Sequence, residues 1–293
     1  MATVCVFTPT FNRAYILPKL YESLIAQTSQ DFSWMVVDDG STDNTAELIQ
    51  SYIEAAEIDI TYIKTENGGK QRAINVGVEA CEDELFFVVD SDDYLVPNAV
   101  EYFVDAWEQE RDRLNVCGIV ALRGTDVHTP MGTWMPDGVD YSGYWDLFEK
   151  YKYRGDTSLI HRTSILKEYP YHVAEGEKFV AETAVYYRLD GKYVHRTRNA
   201  ILTICHYLPD GYTKNLKQNI VNNPIGFYTH KQYCSARAKT FKWQVRETLL
   251  YEMGCFVAGK KSVVAEAPHP VMAAFLYFPA LVVKAVLFRG LQG

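Results

Sequence analysis

The sequence has no Cys-x-x-Cys pair; its six cysteines (Cys5, Cys81, Cys117, Cys205, Cys234 and Cys255) are scattered. No secretory signal precedes Val4, so a reducing cytosol is the expected compartment rather than one in which disulfides form. No internal repeat or low-complexity tract is visible, which leaves an ordinary globular chain as the expectation. A long hydrophobic run is also missing. The best, Val271 to Val283, has thirteen residues and is interrupted by Pro279, whereas a bilayer span needs about 20. Acidic residues become scarce toward the C-terminus. Residues 1–211 hold 34 acids and 18 Lys/Arg, a net of -16, while residues 212–293 hold 3 acids and 11 Lys/Arg, a net of +8. A basic segment on an acidic body suggests a surface for something anionic. Because it ends in an apolar stretch, a membrane is the expected partner rather than nucleic acid.

What is present is a regular alternation. Thr3 to Thr8 is a β-branched apolar run, and Ile16, Leu20 and Leu24 then recur at helical spacing. Trp34 to Val37 reads as a second strand. Leu48, Ile49, Tyr52, Ile53 and Ala56 line one face of a helix that Ser41, Thr42 or Asp43 could cap. Ile60 to Ile63, Leu85 to Val89 and Val116 to Leu122 read as further strands. Lys70 to Cys81 is an expected helix, and Pro97 is expected to start another that carries Val100, Val104 and Trp107. Such alternation predicts an α/β unit with a mostly parallel sheet. The expected division is an α/β domain over residues 1–211 and a helical, basic extension over residues 212–293.

Ligands of parallel α/β sheets bind beyond the carboxyl ends of the strands. Thr8-Pro9-Thr10 follows strand one, Asp38-Asp39 follows strand two, and Asp90-Ser91-Asp92-Asp93 follows strand four. All three polar clusters are therefore expected on one edge. Clustered carboxylates at a strand end suit a hard divalent cation, since magnesium and manganese prefer oxygen ligands and leave room for phosphates. Each cluster taken alone also reads as a solvated turn.

Four motifs carry a resemblance. They are Thr8-Pro9-Thr10-Phe11-Asn12-Arg13, then Val37-Asp38-Asp39-Gly40-Ser41-Thr42-Asp43, then Asn67-Gly68-Gly69-Lys70 with Asn75-x-Gly77, then Asp90-Ser91-Asp92-Asp93. In this order and spacing the chain resembles family 2 glycosyltransferases of the GT-A fold, closely over residues 3–100 and more weakly to about residue 215. The resemblance implies a UDP-sugar donor, transfer with inversion, and Mn2+ or Mg2+ as cofactor. It implies that Thr8, Pro9, Thr10 and Asn12 line the nucleoside slot and that Asp39 accepts the uracil N3–H. Lys70 and Ser91 would meet the nucleotide-sugar. Asp92 would be the direct metal ligand, Asp90 would contact the ribose or organise the metal shell, and Asp93 could do either or cap the next helix.

The resemblance also implies an acidic pair as the base for the acceptor hydroxyl. The similar stretch here is Gly176-Glu177-Lys178-Phe179-Val180-Ala181-Glu182-Thr183, with Thr183 in place of the second acid. Glu182 is the expected base, with Glu177 and Glu175 as rivals. Some family members place a histidine against the metal or the diphosphate near His206, which follows the strand-like run Ile201 to Cys205 and could complete the metal shell. His161, His172 and His195 show no metal-ligand spacing. Residues 124–200, with Trp134, Pro136, Tyr141, Tyr144 and Trp145, are expected to build an acceptor pocket.

The expected function is metal-dependent inverting transfer to a glycan or lipid-linked acceptor in bacterial cell-surface polysaccharide synthesis. Seven Lys/Arg between Lys231 and Lys261 oppose Glu247 and Glu252, so residues 231–289 either touch an anionic membrane from the cytoplasmic side or pack on the domain. Two other readings stand beside it. A sugar-phosphate nucleotidyltransferase would carry a Gly-rich loop after strand one, but Thr8 to Arg13 has no glycine. A non-catalytic nucleotide-sugar-binding protein would accommodate Thr183.

Overall fold

A computed structural model describes residues 2–206 and 215–290. The chain divides into two compact units, one of residues up to 170 together with 185–206, the other of residues 171–184 together with the chain from 215 on. The segment carrying Glu182 thus groups with the C-terminal helices. The boundary expected at 211/212 falls among residues 207–214, outside the described residues.

The first unit holds one mixed sheet. Strands β1 (Val4–Thr10), β2 (Phe32–Asp38), β3 (Ile60–Lys64) and β4 (Leu85–Val88) are mutually parallel, in the order β3-β2-β1-β4. Helices α1 (Leu17–Ile25), α2 (Thr45–Ala55) and α3 (Lys70–Ala80) connect them. Every residue of β1 is buried, as expected of a central strand covered on both faces. The α2 helix begins after Asn44, and Asp43 holds the entry by accepting from the Thr45 backbone N–H at 3.1 Å and the Thr45 hydroxyl at 2.6 Å. Gly77 lets α3 lie against β1, because a Cβ there would sit 2.1 Å from the Phe7 ring. Its place in the sequence motif therefore has a packing cause.

Beyond β4 the order departs from a simple parallel continuation. A two-residue strand β5 (Tyr94–Leu95) follows the acidic cluster, helix α4 (Ala99–Glu108) starts two residues after Pro97, and β6 (Val116–Gly124) comes next. The strand beside β4 is not β6 but β8 (Thr157–Arg162), antiparallel to both. Between them in sequence lie β7 (Tyr141–Ser142) and α5 (Tyr144–Glu149). Helix α6 (Thr163–Glu168) leads out of β8, and β9 (Val194–Ile204) pairs parallel with β6 and antiparallel with β5 and β7. Because β8 runs opposite to both neighbours, β6 and β9 point the same way as β1 to β4. Their carboxyl ends reach the same edge. All six cysteines are buried and unbridged.

The aromatics expected to line an acceptor pocket are mostly packing residues. Tyr144 and Trp145 are buried, and their backbone N–H groups both donate to Asp190 at 2.6 Å. Tyr141 donates its hydroxyl to Glu110 at 2.9 Å. Trp134 does face solvent. Large rings satisfy the core before they are available to a ligand, and composition does not distinguish the two uses.

In the second unit, α8 (Leu216–Asn222), α9 (Pro224–Arg237), α10 (Phe241–Val257) and α11 (Pro270–Leu287) form a helical cluster. Tyr251, Cys255, Val263, Ala267 and Ala273 make one core, and Ile220, Met253 and Phe288 another. Pro279 lies inside α11, and the apolar stretch is one helix of 18 residues. An interior proline removes one backbone hydrogen bond and bends a helix without always ending it.

Candidate functional site

The carboxyl edge of the sheet assembles the three polar clusters. β1 ends in Thr10, whose carbonyl accepts from the Asp39 N–H at 2.8 Å, joining the first two clusters. Thr8, Pro9 and Thr10 are all buried. Thr8 accepts from the Trp34 indole N–H at 3.0 Å, while the Thr10 hydroxyl is buried with no hydrogen-bond partner among the described residues. A buried hydroxyl without a partner is uncommon and needs an explanation. A ligand atom at this strand end is one.

Asn12 works inward. Its backbone has φ 53°, a region in which Asn is several-fold enriched. Its side-chain oxygen accepts from the Thr42 N–H at 2.8 Å and the Asp43 N–H at 3.3 Å, and its own N–H donates to Ser41 at 2.8 Å. It ties the loop after β1 to the loop after β2. Asp38 is also structural, accepting from Ser41 N–H at 2.7 Å and from the Tyr62 hydroxyl at 2.6 Å.

Asp39 has a partner set that the sequence did not show. One carboxylate oxygen accepts from the Gly68 N–H at 2.7 Å, the other from the Gly69 N–H at 2.8 Å and the Asn67 amide at 3.2 Å. The carboxylate therefore grips the loop that begins α3. Gly69 has φ 96°, which favours glycine at this turn. Through this loop Asp39 sets the position of Lys70, the first residue of α3.

Lys70 meets the third cluster, with its ammonium 2.5 Å from Asp90. Arg123, at the carboxyl end of β6, lies 3.3 Å from Asp90 and 2.8 Å from Asp93 through the same nitrogen. Burial works against the Asp90 charge, but Lys70 and Arg123 outweigh it and hold the carboxyl well below its ordinary range. Asp93 is more deeply enclosed, and burial pushes it up to about 7 in spite of Arg123. Asp92 is half-buried, and burial together with the Asp90 charge raises its carboxyl. Ser91 is buried beside it. The donor set fits a hard dication: a carboxylate disfavoured by burial and by a like charge is one that a cation relieves. His206, two residues beyond β9, is exposed on this edge beside Tyr94, with ring centroids 6.3 Å apart.

Sequence reasoning missed Arg123. The signal was there, since an Arg directly follows the apolar run Val116 to Leu122. Its partners were hidden, because β8 separates β6 from β4 in the sheet.

In the second unit, Glu177 is buried and accepts from the Ile225 N–H at 2.6 Å and the Gly226 N–H at 2.7 Å. It caps the N-terminus of α9, where a carboxylate is favoured by free N–H groups and the helix dipole. Glu175 is exposed. Glu182 is half-buried just before α7 (Thr183–Leu189), and its carbonyl accepts from the Tyr171 hydroxyl at 3.2 Å. Thr183 shares a 3.0 Å hydrogen bond with His230.

Residues 5–169 match the model of glycosyl transferase family 2. The chain belongs to that family. Among curated relatives, chondroitin synthase of Escherichia coli is 32% identical over 107 residues, which cover 36% of this chain and 16% of that protein. Poly(ribitol-phosphate) beta-N-acetylglucosaminyltransferase TarS of Staphylococcus aureus strain Mu50 is 33% identical over 97 residues, covering 32% of this chain and 17% of that protein. The chain thus spans about a sixth of the length of these relatives. Among solved structures, S. aureus TarS 1-349 in complex with UDP-GlcNAc superposes with a TM-score of 0.63 at 16% identity, covering 100% of this chain and 93% of that one. Mannosyltransferase PcManGT from Pyrobaculum calidifontis, in complex with GDP-Man and Mn2+, gives a TM-score of 0.59 at 15% identity over 97% of this chain and 84% of that one. The fold of this family 2 member is GT-A, with a helical C-terminal region.

Proposed function

We propose that this protein transfers a sugar, with inversion, from a UDP-sugar to a hydroxyl of a glycan or lipid-linked acceptor in bacterial cell-surface polysaccharide synthesis. The observation that carries the reading is the convergence of Thr10, Asp39, Lys70 and the Asp90–Asp93 cluster on one sheet edge. Each lies at the carboxyl end of a parallel strand or at the start of the helix that follows. The relatives solved with UDP-GlcNAc and with GDP-Man and Mn2+ support a nucleotide-sugar and a divalent ion.

In this reading Thr8, Pro9 and Thr10 form the floor of the nucleoside slot, and the Thr10 hydroxyl, without a partner among the described residues, bonds the ligand. Asp39 accepts the uracil N3–H while it holds the Gly68-Gly69 loop against the base. Asn12 contributes by keeping the two loops in register. Asp92 would be the direct ligand of Mn2+ or Mg2+ and His206 would complete its shell; the positive charge held there would stabilise the UDP leaving group. Asp90, with Ser91 beside it, contacts the nucleotide-sugar, its charge kept by Lys70 and Arg123. Glu182 takes the acceptor proton, because Glu177 is engaged as a helix cap. The protein works at the cytoplasmic face of the membrane, as a basic C-terminal region suits.

The test is UDP release and product mass across a panel of donors, with two variants. Asp92→Asn should abolish transfer, and EDTA should do so reversibly. Glu182→Gln keeps size and shape but removes basicity, so turnover should fall by about 10²–10⁴ with UDP affinity near wild type. Full activity in EDTA would exclude the metal-dependent mechanism, and near-normal turnover of Glu182→Gln would place the base elsewhere.

A further inference from the structure

Helix α11 has two faces of unusual character. The inner face carries Ala273 and Ala280, both fully buried, and Tyr277, whose ring meets Phe256 of α10 edge to face with centroids 4.9 Å apart. Lys284 turns inward as well, donating to the Phe256 carbonyl at 2.8 Å. The outer face should then be polar if it met water alone. It is not. Val271, Phe275, Phe278, Val282 and Val286 recur at intervals of three and four residues along it, with Val271 73%, Phe275 81% and Phe278 74% exposed. Aromatic rings of this size carry about 150–250 Å² each, so with the valines the face exceeds the few hundred Å² of apolar patch that a monomer ordinarily shows.

We infer that α11 is a membrane-docking helix that lies in the plane of an anionic bilayer with the Val271–Val286 face in the lipid. This deepens the location proposed above by naming the element, its orientation and the class of lipid, and it does not depend on the transfer reaction. Three observations carry it. First, α11 is 18 residues long, about 27 Å at 1.5 Å per residue, and one whole face packs on α10. A perpendicular path would drag the charged groups of α10 and α9, such as Lys231 and Glu247, into hydrocarbon, where ionised side chains are expensive. Lying flat needs only the outer face to enter, to the depth of roughly 5–10 Å that in-plane helices reach.

Second, the charges around the helix are mostly of one sign. Pro270 to Leu287 contains no Asp or Glu. Exposed Lys261 stands before the helix and exposed Arg289 after it, while Glu266, the sole acid from residue 253 on, is tied to Lys260 at 2.7 Å. Anionic headgroups complement this pattern, at about the strength expected for individual basic residues near such a surface. Third, a second copy of the chain is a poorer occupant. Helices that pair through an apolar seam use opposite charges beside it to set the partner. Here the flanks offer Lys261 and Arg289, and the one acid, Glu266, is already held by Lys260, so two copies would bring cations together.

The test uses the full chain and no donor. Flotation with vesicles of phosphatidylcholine containing phosphatidylglycerol should carry the protein up, with clearly less on phosphatidylcholine alone. Phe275→Ser/Phe278→Ser changes two exposed positions and should lower partitioning by about tenfold or more, with far-UV circular dichroism and UDP affinity unchanged. Lys261→Ser/Arg289→Ser should remove most of the preference for phosphatidylglycerol and leave the weak binding to phosphatidylcholine. The inference is overturned if wild type stays unbound on phosphatidylglycerol vesicles, or if the double phenylalanine variant floats like wild type. It is also overturned if light scattering finds a wild-type dimer that this variant makes monomeric, since the face then belongs to a second copy.

Discussion

Glu252 offers a quantitative test of the second unit. It lies on α10, is fully buried, and neither carboxyl oxygen has a hydrogen-bond partner among the described residues. Burial raises its pKa from 4.5 to about 7. Below pH 4.5 the group is neutral in both folded and unfolded chains and its burial carries no ionic penalty. Between pH 4.5 and about 7 the unfolded chain releases the proton while the folded chain keeps it, so stability falls as pH rises. Above the folded value the loss is complete. A shift of this size corresponds to roughly 3 kcal/mol, a large share of the stability of a typical domain. Glu252→Met has a similar shape and no charge. It should therefore stabilise the protein by roughly 2–4 kcal/mol at pH 8 and by distinctly less at pH 5. Urea unfolding of wild type and variant at both pH values measures the difference, and subtracting one from the other cancels every other titrating group. A stability gain that is the same at pH 5 and pH 8 would refute the assignment, since the effect would then be packing rather than ionisation.

Three further expectations follow from single contacts. Asp39→Ala should weaken UDP binding by about ten- to a hundredfold, the worth of a hydrogen bond to a charged group; unchanged calorimetric affinity would confine Asp39 to holding the Gly68-Gly69 loop. Glu177→Ala should lower stability by about 1–2 kcal/mol through loss of the α9 cap, with UDP affinity intact, and a collapse of turnover without loss of stability would return Glu177 to the list of bases. His161 and His195 face each other at 3.1 Å, fully enclosed. Burial holds His161 well below its usual value and His195 down to about 4. Both imidazoles should be neutral at pH 5.5 by nitrogen-detected NMR, with stability declining as pH falls from 6.5 toward the folded values; a protonated ring at pH 5.5 would contradict this.

Much of the edge was legible because it rests on local pattern. A β-branched run bounded by polar residues is a strand wherever it occurs, and successive parallel strands connected by helices must present their carboxyl ends together. Hence the sequence alone puts Thr8-Pro9-Thr10, Asp39 and Asp90 to Asp93 on one edge. The family motifs then suggested roles for them. Side-chain direction was a different matter. Asp38 and Asp39 are adjacent, yet one binds Ser41 and Tyr62 and the other binds the loop 67–69.

Tertiary structure alone decided what depended on distant pairing. Strand β8 enters antiparallel between β4 and β6, about 70 residues after β4 in sequence, and no local periodicity encodes that choice. Because of it, Arg123 comes to rest against Asp90 and Asp93, and β9 brings His206 to the same edge. Glu177 became a helix cap because α9 begins beside it, with the Ile225 N–H that it binds 48 residues later. Tyr144 and Trp145 became core for the same reason, as their partner Asp190 lies far along the chain. The apolar composition of residues 271–283 was plain from sequence, but not which face of the helix α10 would cover. Hydrophobic pattern is a local property of the chain, whereas burial and hydrogen-bond partners are set by whatever the fold carries alongside.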